Sequence, residues 1–447
     1  MRCLSRSDGR RDAAAFASAG LRGAVTPRPP RPQKSIFDPI HGQIELEGVA
    51  LALVGTREFQ RLWGIHQTGF AHLVFPGANH TRLEHSLGAY WVAREMGRHL
   101  ALDAGSAELA MVGGLLHDLG HPPFSHTLEP SMREVLGHGH EVVSRARIVG
   151  SEIPGVVEDR DAITVPRTLE AFGFHPREIA DLVDPPRSRE RHALLRSMLH
   201  SAVDADRIDY LQRDAHYTGV AHGAIDSVRL LDTIRAHRDR IAFAEKGRMA
   251  VEGFLVGRAL MYATVYYHKT VRAAELMAQA AVERSDGYPA SARTLFSWTD
   301  GELLARLSGR GVVAERLVKG LLERRLYKRA YRWMDLEPGA ARGWARLLHD
   351  PAERRQREDA AAEHLRAPPG SVLFDLAGLE PRGRPLEDWA EIAVLGPQGA
   401  TYPFRAASPW RSLVERPATD SPVVVYTAAR YRTAASRLLA RSLSFLP

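Results

Sequence analysis

Through roughly the first 290 residues, apolar positions recur three and four apart, the period of a helix buried along one side. Residues 57–67 carry Phe59, Leu62 and Ile65 at a spacing of three, and His66 and Gln67 close the stretch before Gly69. Over 82–101 the stripe is Leu83, Leu87, Tyr90 and Trp91, continued by Met96 and Leu100. The next helix is expected over 106–118, with Ser106 as N-cap and Glu108 in the first turn, where a carboxylate meets the positive end of the helix dipole. Gly113 and Gly114 in its interior each cost about 1 kcal/mol relative to Ala, which points to a neighbour packed close beside them. Pro122-Pro123 ends regular structure. Residues 150–190 read as short helices broken at Pro185-Pro186, and long helices are expected over 192–217 and 253–284. The exception is Ile36 to Leu46, which is strand-like, with Ile44 and Leu46 alternating and with Pro39 and Gly42 as punctuation.

After about residue 290 the pattern changes. Glu315 to Trp333 is helical and basic, and 352–366 is helical and charged. Strand-like runs follow at Ser371 to Leu376, Glu391 to Leu395 and Pro422 to Tyr426, and 428–444 returns to helix. The whole predicts a mainly α protein, with a helical core over 35–290 and a smaller C-terminal α+β domain over 291–447 in which no chemical motif stands out. Residues 1–34 are rich in Arg, Ala and Pro, and Pro27, Pro29, Pro30 and Pro32 forbid regular structure at their end. They read as a disordered basic tail. Arg and Ala enrichment also suits an organelle transit peptide, against which Asp8 and Asp12 count.

Composition narrows the function classes. Hydrophobic residues make up 45% and charged residues 25% of 447, enough for a sizeable core. No apolar run approaches the ~18 residues that span a bilayer, so no membrane partner is expected. The net charge is +7, but the tail holds seven Arg and one Lys against two Asp, which is +6, leaving the other 413 residues near +1. Nucleic acid is therefore not expected as the main partner. Cys3 is the only cysteine, which excludes an intrachain disulfide and a cysteine metal site and makes the cytoplasm the default compartment.

The candidate chemistry lies in three segments. Thr81-Arg82-Leu83-Glu84-His85 offers one imidazole, and Leu116-His117-Asp118-Leu119-Gly120-His121 offers a His-Asp pair and a second His four residues on, which on a helix shares its face. Asp206 in the third segment adds a distant carboxylate. Two imidazoles and two carboxylates suit one divalent ion of Mn, Fe, Ni or Zn and, less well, Mg. Each residue alone has a plainer explanation, Asp206 as a helix cap or ion pair among them; the joint pattern is what points to a metal. Arg82 shares the helical face of His85 and can neutralise a phosphate oxygen with paired donors. Asp206, Tyr210 and Asp214 share one face, as do Arg258, Tyr262 and Tyr266, followed by His268-Lys269.

Three long stretches carry a resemblance. They are Phe75-Pro76-Gly77-Ala78-Asn79-His80-Thr81-Arg82-Leu83-Glu84-His85-Ser86-Leu87-Gly88, His117-Asp118-Leu119-Gly120-His121-Pro122-Pro123-Phe124-Ser125-His126, and Asp206-Arg207-Ile208-Asp209-Tyr210-Leu211-Gln212-Arg213-Asp214. In this order they resemble the deoxynucleoside triphosphate triphosphohydrolases of the HD-domain phosphohydrolase superfamily, over roughly residues 35–275. The resemblance implies that the helical core is an HD domain and that His85, His117, Asp118 and Asp206 are its metal ligands. It implies that His126 acts at the α-phosphate with His121 in the same network, that Glu129 orients His126 where relatives carry Asp, and that His140 contacts phosphate. For the last, a loop Gly137-His138-Gly139-His140 without a role is the plainer reading.

The same resemblance places Arg207, Arg258 and Lys269 near phosphate, Tyr210 and Gln67 against the sugar, Asp214 at its 3′-OH, and Tyr266 near sugar or base. Surface ion pairs among Arg207, Arg213 and Asp214 are the alternative. Thr68 stands where a relative has Leu, and Tyr262 where one branch has His, so selection against ribose and among bases stays open. The implied reaction is hydrolysis of a deoxynucleoside triphosphate, dGTP included, to deoxynucleoside and inorganic triphosphate. An HD-type nucleotidase or phosphodiesterase, and a non-catalytic nucleotide-binding regulator, are the competing readings. A homo-oligomer agrees with the resemblance.

Overall fold

The structure is a computed structural model that describes residues 33–151, 163–185, 192–379, 392–397, 400–411 and 422–441. Residues 1–32 of the expected tail lie outside these; Gln33 and Lys34 already belong to a strand. The chain opens on an antiparallel hairpin of β1 (Gln33–Asp38) and β2 (Gly42–Glu47), with Ile36 opposite Ile44. Asp38 Oδ1 accepts the N–H groups of Ile40 and His41, both at 2.9 Å, and Gly42 closes the turn at φ +71°, where glycine meets no steric cost.

The helical core follows. It runs through α1 (Gly48–Val54), α2 (Arg57–Gln60), α3 (Arg82–His99), α4 (Ala104–Leu116), α5 (Glu129–Leu136), α6 (His140–Val149), α7 (Val165–Ala171), α8 (Pro176–Val183), α9 (Ala193–Leu199) and α10 (Ala205–Thr218). After α11 (Ser227–Thr233) come a hairpin of β3 (Ile234–His237) and β4 (Arg240–Ala244), then α12 (Arg248–Met261) and α13 (Lys269–Glu283). Beyond these are α14 (Asp300–Leu307), α15 (Val312–Leu322), β5 (Lys328–Trp333), α16 (Pro338–His349), α17 (Pro351–His364), β6 (Val372–Asp375), β7 (Ala393–Leu395), β8 (Thr401–Pro403), α18 (Phe404–Ala407), β9 (Val423–Thr427) and α19 (Arg432–Arg441). The fold is mainly α, with strands in the C-terminal region. Among the described residues no helix is long and apolar enough to cross a membrane.

Helices α3 and α4 pack closely at the centre, and the glycines show how. A Cβ on Gly114 would stand 3.0 Å from Ala89 O on α3, and one on Gly113 would stand 2.8 Å from Leu199 Cδ1 on α9. Helix α3 starts with a capping box in which Glu84 Oε2 accepts the Thr81 N–H at 2.6 Å. Of the periodic stripe Leu83, Leu87, Tyr90 and Met96 are buried, while Trp91 and Leu100 are half-buried.

Several expected elements differ. Helix α4 is capped by Asp103, whose Oδ1 accepts the Ser106 N–H at 3.0 Å, so Ser106 is a donor inside the first turn. The helix expected over 192–217 breaks at His200, and α10 starts afresh behind Asp204, whose Oδ1 accepts the Arg207 N–H at 2.8 Å. Asp206 thus lies in a first turn. The helix expected over 253–284 loosens into a π turn at Tyr262–Tyr266 and restarts at Lys269. Lys328 to Trp333, expected as helix, is a strand paired antiparallel to β9, with a register shift between Arg329 and Tyr331. The hairpin β3–β4 had no counterpart in the periodicity.

Two sheets tie the later residues down. The order β5-β9-β6 is antiparallel throughout, over a core that includes Trp344, Phe374, Val423 and Val425. The order β3-β4-β7-β8 has β7 parallel to β4, so strands from either side of residue 290 share a sheet. Ion pairs add to this. Arg355 of α17 takes both oxygens of Glu134 on α5 at 2.8 and 2.9 Å, and Arg354 takes both of Glu283 on α13 at 2.6 and 2.7 Å.

Candidate metal and phosphate site

Helices α3, α4 and α10 bring four side chains from three segments to one point. His85 Nε2 lies 3.3 Å from His117 Nε2, 3.0 Å from Asp206 Oδ1 and 3.4 Å from Asp118 Oδ2. His117 Nε2 lies 3.2 Å from Asp118 Oδ1 and 3.7 Å from Asp206 Oδ1. Separations of this size are what donors at about 2.0–2.2 Å from a shared ion show. His85, His117 and Asp206 form a group able to hold a metal ion, with Asp118 beside them.

The ring orientations sharpen the fit. His117 Nδ1 lies 2.7 Å from Gly114 O, a carbonyl that accepts only, so it carries the proton. His85 Nδ1 lies 2.7 Å from Asp209 Oδ2 and is fixed in the same way. Both Nε2 atoms then turn lone pairs toward each other and toward two carboxylates, and a cation resolves that conflict. Without one, a proton must serve. Burial opposes a charge on His85, but Asp206 and Asp209 override it and push the imidazole up to about 10.

Asp209 is a residue that sequence reasoning gave no role. Fully buried, it accepts from His85, from Arg213 through Nε and Nη2 (both 2.9 Å), and pairs with His41 Nε2 at 2.6 Å. Burial would raise its pKa, yet Arg213, His41 and His85 hold it well below the carboxylate range. Such outer carboxylates orient a ligating imidazole and raise its basicity. Gly88 makes room: a Cβ there would fall 1.8 Å from Asp209 Oδ1. The available signal was the glycine one turn after His85, paired with an aspartate one turn after Asp206.

A second cluster adjoins the first. The rings of His121 and His140 stack at 3.8 Å, and His126 meets them edge-on at 4.8 and 5.4 Å. Glu129 Oε2 pairs with His126 Nδ1 at 2.9 Å and Oε1 with His140 Nδ1 at 3.0 Å. Burial works against that carboxylate's charge, but His126 and His140 hold it far below its usual range. His140 opens α6 and is not part of a loose loop. Arg82 links the clusters, donating from Nη1 to Asp118 Oδ2 at 2.6 Å and from Nε to Ser125 Oγ at 2.9 Å. His121 Nε2 lies 3.2 Å from Asp118 Oδ1; its burial, and then the Arg82 charge, draw its pKa well below the ordinary value. His126 is 62% exposed and faces outward.

The third wall comes from α10, α12 and the π turn. Asp214 Oδ1 pairs with His80 Nε2 at 2.7 Å, and its Oδ2 accepts from Tyr266 OH. Tyr210 lies edge-on to both His85 and Tyr266, with centroids 6.5 and 6.4 Å away. Arg258 is buried over the Tyr262 ring at 5.7 Å, and its Nε and Nη1 have no hydrogen-bond partner among the described residues. Gln67 Oε1 is likewise buried and unpartnered. Arg207 turns its guanidinium back to Asp204 and Ser201 O, and Lys269 is exposed at the start of α13.

Helices that present a His, a His-Asp pair and a distant Asp to one ion define the HD-domain class. The sequence model of the HD domain matches residues 82–214, and that of the HD associated region matches 225–445. The chain thus carries an HD domain followed by the HD associated region. It is 36% identical over 313 residues to an uncharacterized protein of Methanocaldococcus jannaschii, covering 68% of this chain and 61% of that one. It is 29% identical over 284 residues to the chicken (Gallus gallus) deoxynucleoside triphosphate triphosphohydrolase SAMHD1, covering 57% and 45%. The chain thus spans about half to three-fifths of the length of these curated relatives. A phosphohydrolase structure from Bacteroides thetaiotaomicron shares the fold, with a TM-score of 0.67 at 23% identity over 89% of this chain and 100% of that one.

Proposed function

We propose that this protein hydrolyses deoxynucleoside triphosphates to deoxynucleoside and inorganic triphosphate, with one divalent ion held by His85, His117, Asp118 and Asp206. The observation that carries the reading is the pair of facing Nε2 atoms flanked by two carboxylates, supported by the Glu129–His126 pair and by the unpartnered Nε and Nη1 of Arg258. Such an ion, when bound, polarises a phosphoryl oxygen and lowers the pKa of water. Arg82 and Arg258 supply fixed positive charge for a polyphosphate, and Arg258 keeps unused donors for it. Glu129 orients His126 so that its free ring nitrogen holds or moves a proton at the reacting phosphate. Tyr210 packs on the sugar, and Asp214, gripped by His80 and Tyr266, accepts from the 3′-OH. The likeness to a deoxynucleoside triphosphate triphosphohydrolase supports this choice over a nucleotidase or phosphodiesterase.

The test is a panel of dNTPs and NTPs with Mn or Mg, the products separated by chromatography, in ¹⁸O-water. Inorganic triphosphate carrying the label, with unlabelled deoxynucleoside, is the expected result. Label in orthophosphate with a dNDP as co-product would overturn the reading.

A further inference from the structure

The backbone just ahead of His126 is in an unusual state. Phe124 and Ser125 lie in succession at φ +56° and +57°, and neither is glycine. In this left-handed region a Cβ crowds the following carbonyl, so two such residues in a row persist only where the surroundings hold them. Ser125 then opens the short 3-10 turn that carries His126.

What holds them lies far along the chain. Asp300 Oδ1 accepts the Phe124 N–H at 2.6 Å, and Asp300 Oδ2 accepts the His66 N–H at 2.9 Å and lies 2.7 Å from His66 Nδ1. The carboxylate is buried. Although Asp300 is the first residue of α14, the capping of that helix is done by Thr299 and Glu302, through Thr299 N–H to Glu302 Oε2 at 2.8 Å and Glu302 N–H to Thr299 Oγ1 at 3.4 Å. The acceptors of Asp300 are thus committed to two loops outside its own helix. One leads into Gln67, the other into His126. Ser125 Oγ closes the same joint by donating to His66 O at 2.6 Å, and the Phe124 ring stacks on Phe70 at 4.0 Å.

We propose that Asp300 is a positioning residue, whose carboxylate holds the 66–67 and 124–126 loops together and so sets His126 and Gln67 against one substrate. The part concerning turnover rests on the function proposed above; the part concerning the loops does not. The experiment compares full-length wild type, Asp300→Asn, Asp300→Glu and the control Glu302→Ala, which removes the cap of α14 and keeps the Asp300 carboxylate. Hydrogen exchange is followed at Phe124 to Leu128 and at His66 to Phe70, and dNTP turnover is measured in parallel.

Asp300→Asn presents an amide N–H to the backbone N–H of either Phe124 or His66. It should speed exchange in both loops by about tenfold or more, the scale of a lost hydrogen bond to a charged group. It should lower kcat by about tenfold to a hundredfold with KM nearly unchanged, as misplacement of a reacting group does. Asp300→Glu, which keeps charge and acceptors, should recover part of kcat and takes the place of the amide variant if that does not fold. Glu302→Ala should alter exchange only at the start of α14. Unchanged exchange in both loops, or faster exchange with wild-type kcat, or an equal kcat loss in Glu302→Ala, would overturn the proposal. If wild type turns over no nucleotide, faster loop exchange in Asp300→Asn still supports Asp300 as the joint while the proposed function falls.

Discussion

The two imidazole clusters differ in how they are held. His85 and His117 are fixed at Nδ1 by a buried aspartate and a helix carbonyl, and His85 has no exposed surface. In the outer cluster His126 and His140 share one carboxylate, Glu129, while His121 leans on Asp118, and His126 remains 62% exposed. The inner cluster is built to keep a geometry against the repulsion of its own lone pairs and carboxylates. The outer one buries His121 and opens to solvent through His126. Under the proposed function, the rigid cluster would hold the ion and the accessible one would move the proton.

That contrast can be broken in graded steps. The largest effect should come from Asp206→Ala or His117→Ala, which strip a ligand from the inner cluster. Each should lower bound metal, read by elemental analysis, and reduce hydrolysis by at least about a thousandfold, while circular dichroism stays helical. Full activity in metal-depleted Asp206→Ala protein would show that the cluster is not the ion site.

His126→Ala should leave metal content intact and lower kcat by about a hundredfold or more with little change in substrate binding, the mark of an interaction made mainly in the transition state. Loss of metal in this variant would erase the distinction between the clusters.

A smaller effect is expected from Asp209→Asn. The His85 ring loses its charged partner, and metal affinity, measured by competition with a chelator, should weaken by about tenfold to a hundredfold. Removal of the Glu129 charge should leave that affinity unchanged.

The smallest effect concerns acid. Glu129 ordinarily titrates near 4.5, and the folded state holds it lower. A depressed carboxylate contributes stability that is present above the unfolded value and is lost as pH falls through the folded one. Glu129→Gln should therefore flatten the fall of stability below about pH 4.5, by at most one proton's worth of slope. Urea midpoints at pH 6 and pH 3 would measure it.

Much of this was legible in the residues. Helical periodicity located α3, α4 and α17, and the His, His-Asp and Asp spacing named four side chains that the fold does bring together. Gly113 and Gly114 foretold the close contact of α4. The pattern failed at Lys328 to Trp333 and across 192–217. A short basic run with aromatic residues fits either period, and a break at His200 needs no proline or glycine to announce it.

Other features had no local signature at all. Asp209 beneath His85, Gly88 leaving it room, and Asp300 reaching back over 176 positions to Phe124 exist only because separate helices meet. A sequence determines which side of each element avoids water and which chemical groups are available, because periodicity and residue type are properties of the chain itself. Which element covers that side, and which carboxylate ends within hydrogen-bonding reach of which imidazole, depends on distances between residues far apart in the chain. Only the packed tertiary structure sets those.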